Sequence, residues 1–371
     1  MHGLLIGGSG LIGGYLTHFF KTKTPHDIEL RAPNSKKLSL REPEDIKGYC
    51  RKLRPDFIIN AAIASIDSDA ELCLEVNTRG SINLARAALA LKIPYIHISS
   101  AATLPTGENL TEEDHLPLTT GLSNYAKSKL LTELTLKHMH ETQGLDYTTI
   151  RMAVVYGEHD HKIQGIQRLL FSIVDDSMPF LLTKKGVRHS YSNANKLPHF
   201  VDHILKHRAE FTGQTYHFVD QEPVALDELI LTIKALLNSK NPKAIYIPYN
   251  VAKMSKTFMT SLFNVFRKVG VRARLPAELM FLENFYRTQT LSVNKLKHSS
   301  FLDPDPGVTI YKALPSIIQY YLTRWSHLNL IRFFDDDFIA PQKELTAEFQ
   351  CAPDHLLETI KREWSGPLSG I

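Results

Sequence analysis

The first fourteen residues, MHGLLIGGSGLIGG, leave this chain few ways to fold. Leu4, Leu5 and Ile6 make a short apolar run of the kind that forms a buried strand. Gly7, Gly8, Ser9 and Gly10 end it at once, and Leu11, Ile12, Tyr15, Leu16 and Phe19 then recur at helical spacing. Strand, glycine turn and helix, in that order, open a dinucleotide-binding βαβ unit. Gly7, Gly10 and Gly13 stand three apart. The first allows a tight turn, the second lets the backbone approach a pyrophosphate, and the third lets the helix pack close to the strand. The helix start at Leu11 and Ile12 then offers free N–H groups and a positive dipole end to the phosphates. A signal peptide would carry a basic leader, and a membrane span fewer glycines.

Length and charge narrow the partners. At 371 residues the chain has room for two or three domains, or for one α/β domain with a substantial appendage. Its net charge of +4 is diffuse, so nucleic acid is not expected, and Lys21–Lys23 and Lys184–Lys185 read as solvated surface. Cys50, Cys73 and Cys351 are far apart, with no disulfide framework and no metal spacing. A reducing, cytoplasmic setting is the simplest reading. No run is apolar and long enough for a membrane span, and no metal is expected.

The following segments alternate as a parallel sheet requires. Asp27 to Arg31 reads as a second strand whose end faces the adenosine ribose. Arg31, with Asn34, Lys36 and Lys37 just beyond, suits a 2′-phosphate, so NADP(H) is expected in preference to NAD(H). Leu38 to Leu40 reads as a short strand and Pro43 to Leu53 as a helix. Phe57, Ile58 and Ile59 form a strand covered on both faces, and the small residues Asn60, Ala61 and Ala62 let a cofactor lie across its end. Glu71 to Leu91 is one long helical pattern, Ile93 to Ser99 the next strand, and 105–124 a loop over the sheet's carboxyl edge. The fold class is α/β: a Rossmann-type, doubly wound parallel sheet with a smaller, mostly C-terminal substrate-binding domain.

The next helix opens Ser123-Asn124-Tyr125-Ala126-Lys127-Ser128-Lys129, which puts Tyr125 and Lys129 on one face. A free phenol, with a pKa near about 10, is a poor base at neutral pH. An ammonium beside it, and the positive ring of an oxidised nicotinamide, would lower that value. A serine on the neighbouring strand end, Ser99 or Ser100, can hold a substrate oxygen while Tyr125 passes it a proton.

These pieces together resemble the extended short-chain dehydrogenase/reductases of the NAD-dependent epimerase/dehydratase superfamily. The matching segments are GGSGLIGG (7–14), RPDFIINAA (54–62), EVNTRGSINLARAA (75–88), HISSAAT (97–103) and YAKSK (125–129). With weaker matches further on, the resemblance covers roughly residues 1–330. It implies a catalytic triad of Ser100, Tyr125 and Lys129, with Ser99 as the rival serine. The expected cofactor site is Gly7, Gly10, Leu11, Ile12, Gly13, Arg31, Ala61, Ala62, Ser99, Tyr125 and Lys129. Residues 54–91 are similar to dTDP-4-dehydrorhamnose reductases, and 28–40 to GDP-fucose synthases, which use NADPH. The chain departs from the family at Leu104-Pro105-Thr106-Gly107, where V-Y-G is usual, and at Arg151-Met152, where R-P is usual; Val155-Tyr156-Gly157 is retained.

The second half is less regular. The segment 184–201 resembles the one in which an arginine meets the diphosphate of a sugar nucleotide, which assigns Arg188 to the substrate beside Ser100; Asn195 replaces a usual acidic residue. Thr215 to Phe218 reads as a strand and Leu226 to Leu237 as an amphipathic helix over the substrate cleft. Phe258, Met259, Leu262, Phe263 and Phe266, beside Arg267, Lys268, Arg272 and Arg274, suit a membrane surface or lipid-like pocket, or else core or a dimer face. Residues 292–325 have the family's C-terminal form, whereas Asp335–Asp337 and the helical stretch Pro353–Trp364 lie beyond the resemblance.

The expected division is 1–164 for cofactor, 165–330 for substrate, partly interleaved with the sheet, and 331–371 as a helical extension. The expected activity is an NAD(P)-dependent oxidoreductase or epimerase on a small-molecule substrate, a nucleotide-linked sugar, in a cytoplasmic homodimer. A 3β-hydroxysteroid-dehydrogenase-like enzyme and a non-catalytic NADP-binding regulator are the alternatives. His159, His161 and His189 stand as second acid/base candidates by position alone.

Overall fold

The computed structural model describes residues 1–24, 27–162, 165–174, 181, 183–237, 245–254, 282–328, 330–331 and 351–363. Six parallel strands form the main sheet: β1 (His2–Ile6), β2 (Glu29–Arg31), β3 (Phe57–Asn60), β4 (Tyr95–Ser100), β6 (Tyr147–Met152) and β10 (Gln214–Phe218). Their spatial order is β10-β6-β4-β3-β1-β2. The order reverses between β1 and β3, and the carboxyl ends around such a reversal form the crevice where ligands bind in open α/β sheets.

Helices cover both faces because these strands are apolar on both sides. On one face α1 (Leu11–Lys23) and α7 (Leu197–Lys206) bury Leu16, Phe20, Phe200 and Val201 against Ile59, Ile96 and Ile150. On the other, α2 (Pro43–Leu53), α4 (Ser81–Leu91) and α5 (Asn124–Gln143) bury Ile46, Leu84 and Leu136 against Leu4, Ile58 and Tyr95. A third core joins α6 (Ile166–Val174), α9 (Leu226–Leu236) and the long helix Ile310–His327. Beside it lies a four-stranded sheet, β11 (Val224–Ala225), β8 (Arg188–His189), β12 (Gln289–Leu291) and β5 (Gly107–Leu110), together with the pair β7 (Val154–Tyr156) and β9 (Tyr191–Asn193).

Three local expectations change. Leu38 and Leu40 are buried, but their segment is a turn and not a strand. Asn34 accepts the Lys37 and Leu38 N–H groups and Asp45 that of Ser39, so the backbone is satisfied locally. The long helix after β3 is α3 (Ala70–Leu72), a π-helical stretch Cys73–Gly80, and then α4. Within the stretch the Asn77 carbonyl accepts a hydrogen bond from the Thr132 hydroxyl of α5 at 2.9 Å, which competes with the intrahelical ladder. The loop 105–124 contains β5, which pairs with β12. Gln289 ties the loop down further, its amide donating to the carbonyls of Ala101, Leu104 and Pro105 at 3.0–3.2 Å.

Candidate active site

The glycine turn sits against the end of β3. Gly7 has φ of +88°, a left-handed value, and a Cβ there would lie 2.7 Å from the Ala61 carbonyl and the Ala62 nitrogen. A Cβ on Gly13 would collide with the Gly7 carbonyl oxygen, so α1 leaves directly from the turn. At Gly10 a Cβ would meet only that same oxygen, at 3.5 Å, and otherwise point into open space. Gly10 caps α1 without a side chain, and no acidic residue occupies the first turn. The N–H groups at Leu11 and Ile12 therefore stay available to an anion, and this cradle fits a pyrophosphate. Arg31 ends β2 and is exposed, but its guanidinium is ion-paired with Glu29, which also faces His2 at 3.2 Å.

The central strand β4 carries the two serines in opposite directions. Ser99 is buried and donates to the Glu133 carboxylate of α5. Ser100 is half-buried, accepts the Ala102 N–H at 3.2 Å, and stands beside the Tyr125 phenol, whose charged form it favours. Helix α5 starts where Ser123 accepts the Ala126 N–H at 3.1 Å, which puts Tyr125 in its first turn and Lys129 one turn on, both buried. The Lys129 ammonium donates to the Ile98 carbonyl at 3.0 Å. Burial lowers its pKa to about 8, against the opposing pull of Glu133.

The tyrosine departs from expectation. Burial pushes the Tyr125 phenol up to about 12; Ser100 beside it lowers it, while Cys73 and Glu133 raise it further. Loss of hydration outweighs any help from Lys129, whose ammonium is turned to the backbone of β4.

Beneath these residues lies a buried polar layer. Glu133 accepts from Arg151 Nε at 3.0 Å and Nη2 at 2.8 Å, and Arg151 Nη1 donates to the Glu112 carbonyl at 2.8 Å. Glu112 in turn accepts the His217 N–H at 3.0 Å. Asn77, in the π-helical stretch, accepts the Ala64 N–H at 2.8 Å and donates to Ser128 at 3.0 Å, linking the loop after β3 to the face of α5 beside Tyr125. Asn60 donates to Ser81 at 2.8 Å and to the Tyr95 phenol at 3.0 Å.

Residues 4–179 match the NAD dependent epimerase/dehydratase family. Among curated relatives, the chain is 22% identical over 257 residues to N-acetyl-alpha-D-glucosaminyl-diphospho-ditrans,octacis-undecaprenol 4-epimerase of Escherichia coli O157:H7, across 68% of this chain and 73% of that one. It is 29% identical to GDP-L-colitose synthase of Yersinia pseudotuberculosis, across 49% of this chain and 62% of that one. Among solved structures, a dTDP-4-dehydrorhamnose reductase from Clostridium acetobutylicum superposes with a TM-score of 0.62 at 17% identity, over 86% of this chain and 99% of the other. A UDP-glucose 4-epimerase from Thermotoga maritima gives 0.63 at 16%, over 87% and 99%. The fold is thus the one these solved structures share.

A charged residue in the covered strand of Arg151 calls for a buried partner, and Glu133 stands one helical turn beyond Lys129. Nothing in the spacing marked Asn77, because its partners come from other elements. Arg188 is exposed on β8, its guanidinium 3.4 Å from the Pro223 carbonyl, and Asn195 is exposed nearby in sequence. His189 is buried, sits 3.0 Å from the carbonyls of Asn284 and Arg287, and is lowered by burial. His159 is exposed with its ring against Tyr320, and His161 is exposed. The apolar and basic stripe from Phe258 to Arg274 and the acidic run Asp335–Asp337 lie outside the described residues. Among the described residues no helix is long and apolar enough to cross a membrane, and no group of His, Cys, Asp and Glu is arranged to hold a metal.

Proposed function

We propose that this chain is an NAD(P)-dependent oxidoreductase or epimerase acting on a nucleotide-linked sugar, with Ser100, Tyr125 and Lys129 at the reacting centre. The reading is carried by Ser100 standing beside the buried Tyr125 phenol, one helical turn before Lys129, at the carboxyl edge of a sheet whose first turn is open at Gly10. A substrate carbonyl or alcohol oxygen seated there takes a hydrogen bond from Ser100, and Tyr125 gives or takes the proton at the same atom. Lys129 holds positive charge behind the phenol. A bound nicotinamide supplies or accepts the hydride. Gly7, Gly10, Gly13, Leu11 and Ile12 would hold its pyrophosphate, with Ala61, Ala62 and Ser99 along the strand ends. Arg31, freed from Glu29, would meet a 2′-phosphate, which favours NADP(H).

The substrate class draws support from the relatives' names, which place a sugar on a diphosphate carried by undecaprenol in one case and on GDP in the other. Arg188 suits a diphosphate because its planar fork bonds two oxygens at once. In this reading residues 1–164 hold the cofactor and 165–330 the substrate, with β10 and α7 returned to the first unit. The cysteines form no disulfide among the described residues, as suits a cytoplasmic protein. A homodimer is supported by apolar exposure: Leu131 and Leu134 of α5 are exposed three residues apart, and the helix packed on α5 exposes Leu72 and Leu74.

The test is a thermal-shift titration with NADP⁺ present, adding UDP, dTDP, GDP, a polyprenyl diphosphate and a long-chain β-hydroxy ketone in turn. A nucleoside diphosphate at a hundred times its Kd stabilises by about 2.7 kcal/mol and raises Tm. A response to one of the three nucleotides is the expected result. A response to the lipid-like ligands alone would overturn the nucleotide-linked sugar.

A further inference from the structure

The face of the main sheet turned toward α5 carries polar groups that packing alone does not explain. Side chains alternate along β4. Tyr95 joins the core that includes Leu136 and Met139 of α5, and Ser99 bonds Glu133 of α5. His97, between them, faces the same way. Its register partner on β6 is Thr149, and Arg151, two residues further along, reaches Glu133 too. His97 is fully buried, and neither of its ring nitrogens has a hydrogen-bond partner among the described residues. The Thr149 hydroxyl beside it is in the same condition. Unmade hydrogen bonds in a low-dielectric interior are costly, so these side-by-side groups call for a donor.

The donor at hand is the Lys129 ammonium. Among the described residues it gives one hydrogen bond, to the carbonyl of Ile98, the residue after His97, and an ammonium has three to give. We propose that His97 is a positioning residue for Lys129: together with Thr149 it takes one further hydrogen bond of the ammonium, directly or through one internal water, and keeps Lys129 charged behind Tyr125. The inference rests on the reading of Tyr125 and Lys129 given above.

The electrostatic surroundings leave His97 this role. Burial, reinforced by the charge of Lys129, holds the imidazole well below its ordinary pKa, so it is neutral and keeps an acceptor lone pair. The other titratable or charged groups that face the pair from β4, β6 and α5 include Glu133, Tyr125, Arg151, Tyr95 and Tyr147. Glu133 is already engaged by Arg151 and Ser99, and the Tyr95 phenol by Asn60 and Ser81.

The experiment follows the Lys129 titration by NMR in the full chain labelled with ¹³C,¹⁵N-lysine, its signal identified by loss in Lys129→Arg. In His97→Phe the ammonium loses a neutral acceptor, so its midpoint falls by about one pH unit; in His97→Gln, which keeps an acceptor, it returns toward the wild-type value. The alkaline limb of the turnover profile moves with the midpoint. An unmoved midpoint in folded His97→Phe, or a Gln variant behaving like Phe, overturns the proposal. Should His97→Phe fail to fold, the wild-type imidazole is read directly. It is expected to be neutral from pH 6 to 8 with a nuclear Overhauser contact to the Lys129 ε protons, and an imidazolium at pH 7 or no contact refutes the pairing. Failure of the triad reading shows separately, as turnover retained in Tyr125→Phe.

Discussion

Burial keeps the proton on Tyr125 at neutral pH, and Ser100 beside it pulls the other way. A buried acid of this kind responds strongly to a positive charge brought beside it, because little water screens the interaction. Tyr125→Phe removes the proton and leaves the ring; turnover is expected to fall by about 10²- to 10⁴-fold while NADP(H) affinity stays within about twofold. Steady-state kinetics and a fluorescence titration check this, and retained turnover would take Tyr125 out of the mechanism. A second buried group speaks to stability. Asp220 accepts the Tyr156 hydroxyl at 2.7 Å, and burial pushes its carboxyl up to about 6, with Tyr156 and Lys196 pulling it down. Between about pH 4 and pH 6 the folded protein therefore keeps a proton that the unfolded chain has released. The stabilisation this gives is full below about pH 4, is lost as pH rises through about 6, and amounts to a difference on the order of 3 kcal/mol. Urea midpoints at pH 4.5 and pH 7 should show the wild type losing more stability than Asp220→Asn across that interval. Equal losses would remove Asp220 as the source.

At the scale of elements, the strand–turn–helix unit separates binding from folding. Gly10 has φ of −82°, which a larger residue can adopt, and its missing Cβ would point into open space. Gly10→Val should melt within a few degrees of wild type yet lose at least about tenfold in NADP(H) affinity, since the side chain takes the place of the phosphates. Gly13 has no such room, and its Cβ would strike the Gly7 carbonyl. Gly13→Ala should destabilise by about 1–3 kcal/mol, read as a drop in Tm without added cofactor. Equal effects of the two changes on stability would contradict the division of labour in the turn. The segment around Leu38 and Leu40 teaches a related lesson. Its apolar alternation suits a strand, but Asn34 and Asp45 satisfy the backbone locally, and the two leucines fill the core by α2 and α4 from a turn.

Across the whole molecule, α5 serves two surfaces. Its inner face carries Tyr125, Lys129 and Glu133, while Leu131 and Leu134 are exposed. The proposed homodimer uses that outer stripe, so Leu131→Glu with Leu134→Glu should convert a dimer to a monomer in analytical ultracentrifugation with Tm changed by only a few degrees. A wild type that sediments as a monomer, or a double variant that stays dimeric, would refute it. Sequence alone determined the sheet, the glycine turn and the placing of Tyr125 and Lys129 on one helix face, because each of these is a local pattern: an apolar run, a glycine spacing, a four-residue helical repeat. It also determined which serines end β4, but not how they divide. Only the tertiary structure turned Ser99 to Glu133 and Ser100 to Tyr125, joined Arg151 to Glu133 across two elements, and set His97 beside Thr149 through strand register. It likewise decided the π-helical stretch, where Thr132 takes the carbonyl of Asn77, and the direction of the Tyr125 pKa. These depend on which groups lose water and which distant partner replaces it, and that is a property of the packed molecule and not of any window along the chain.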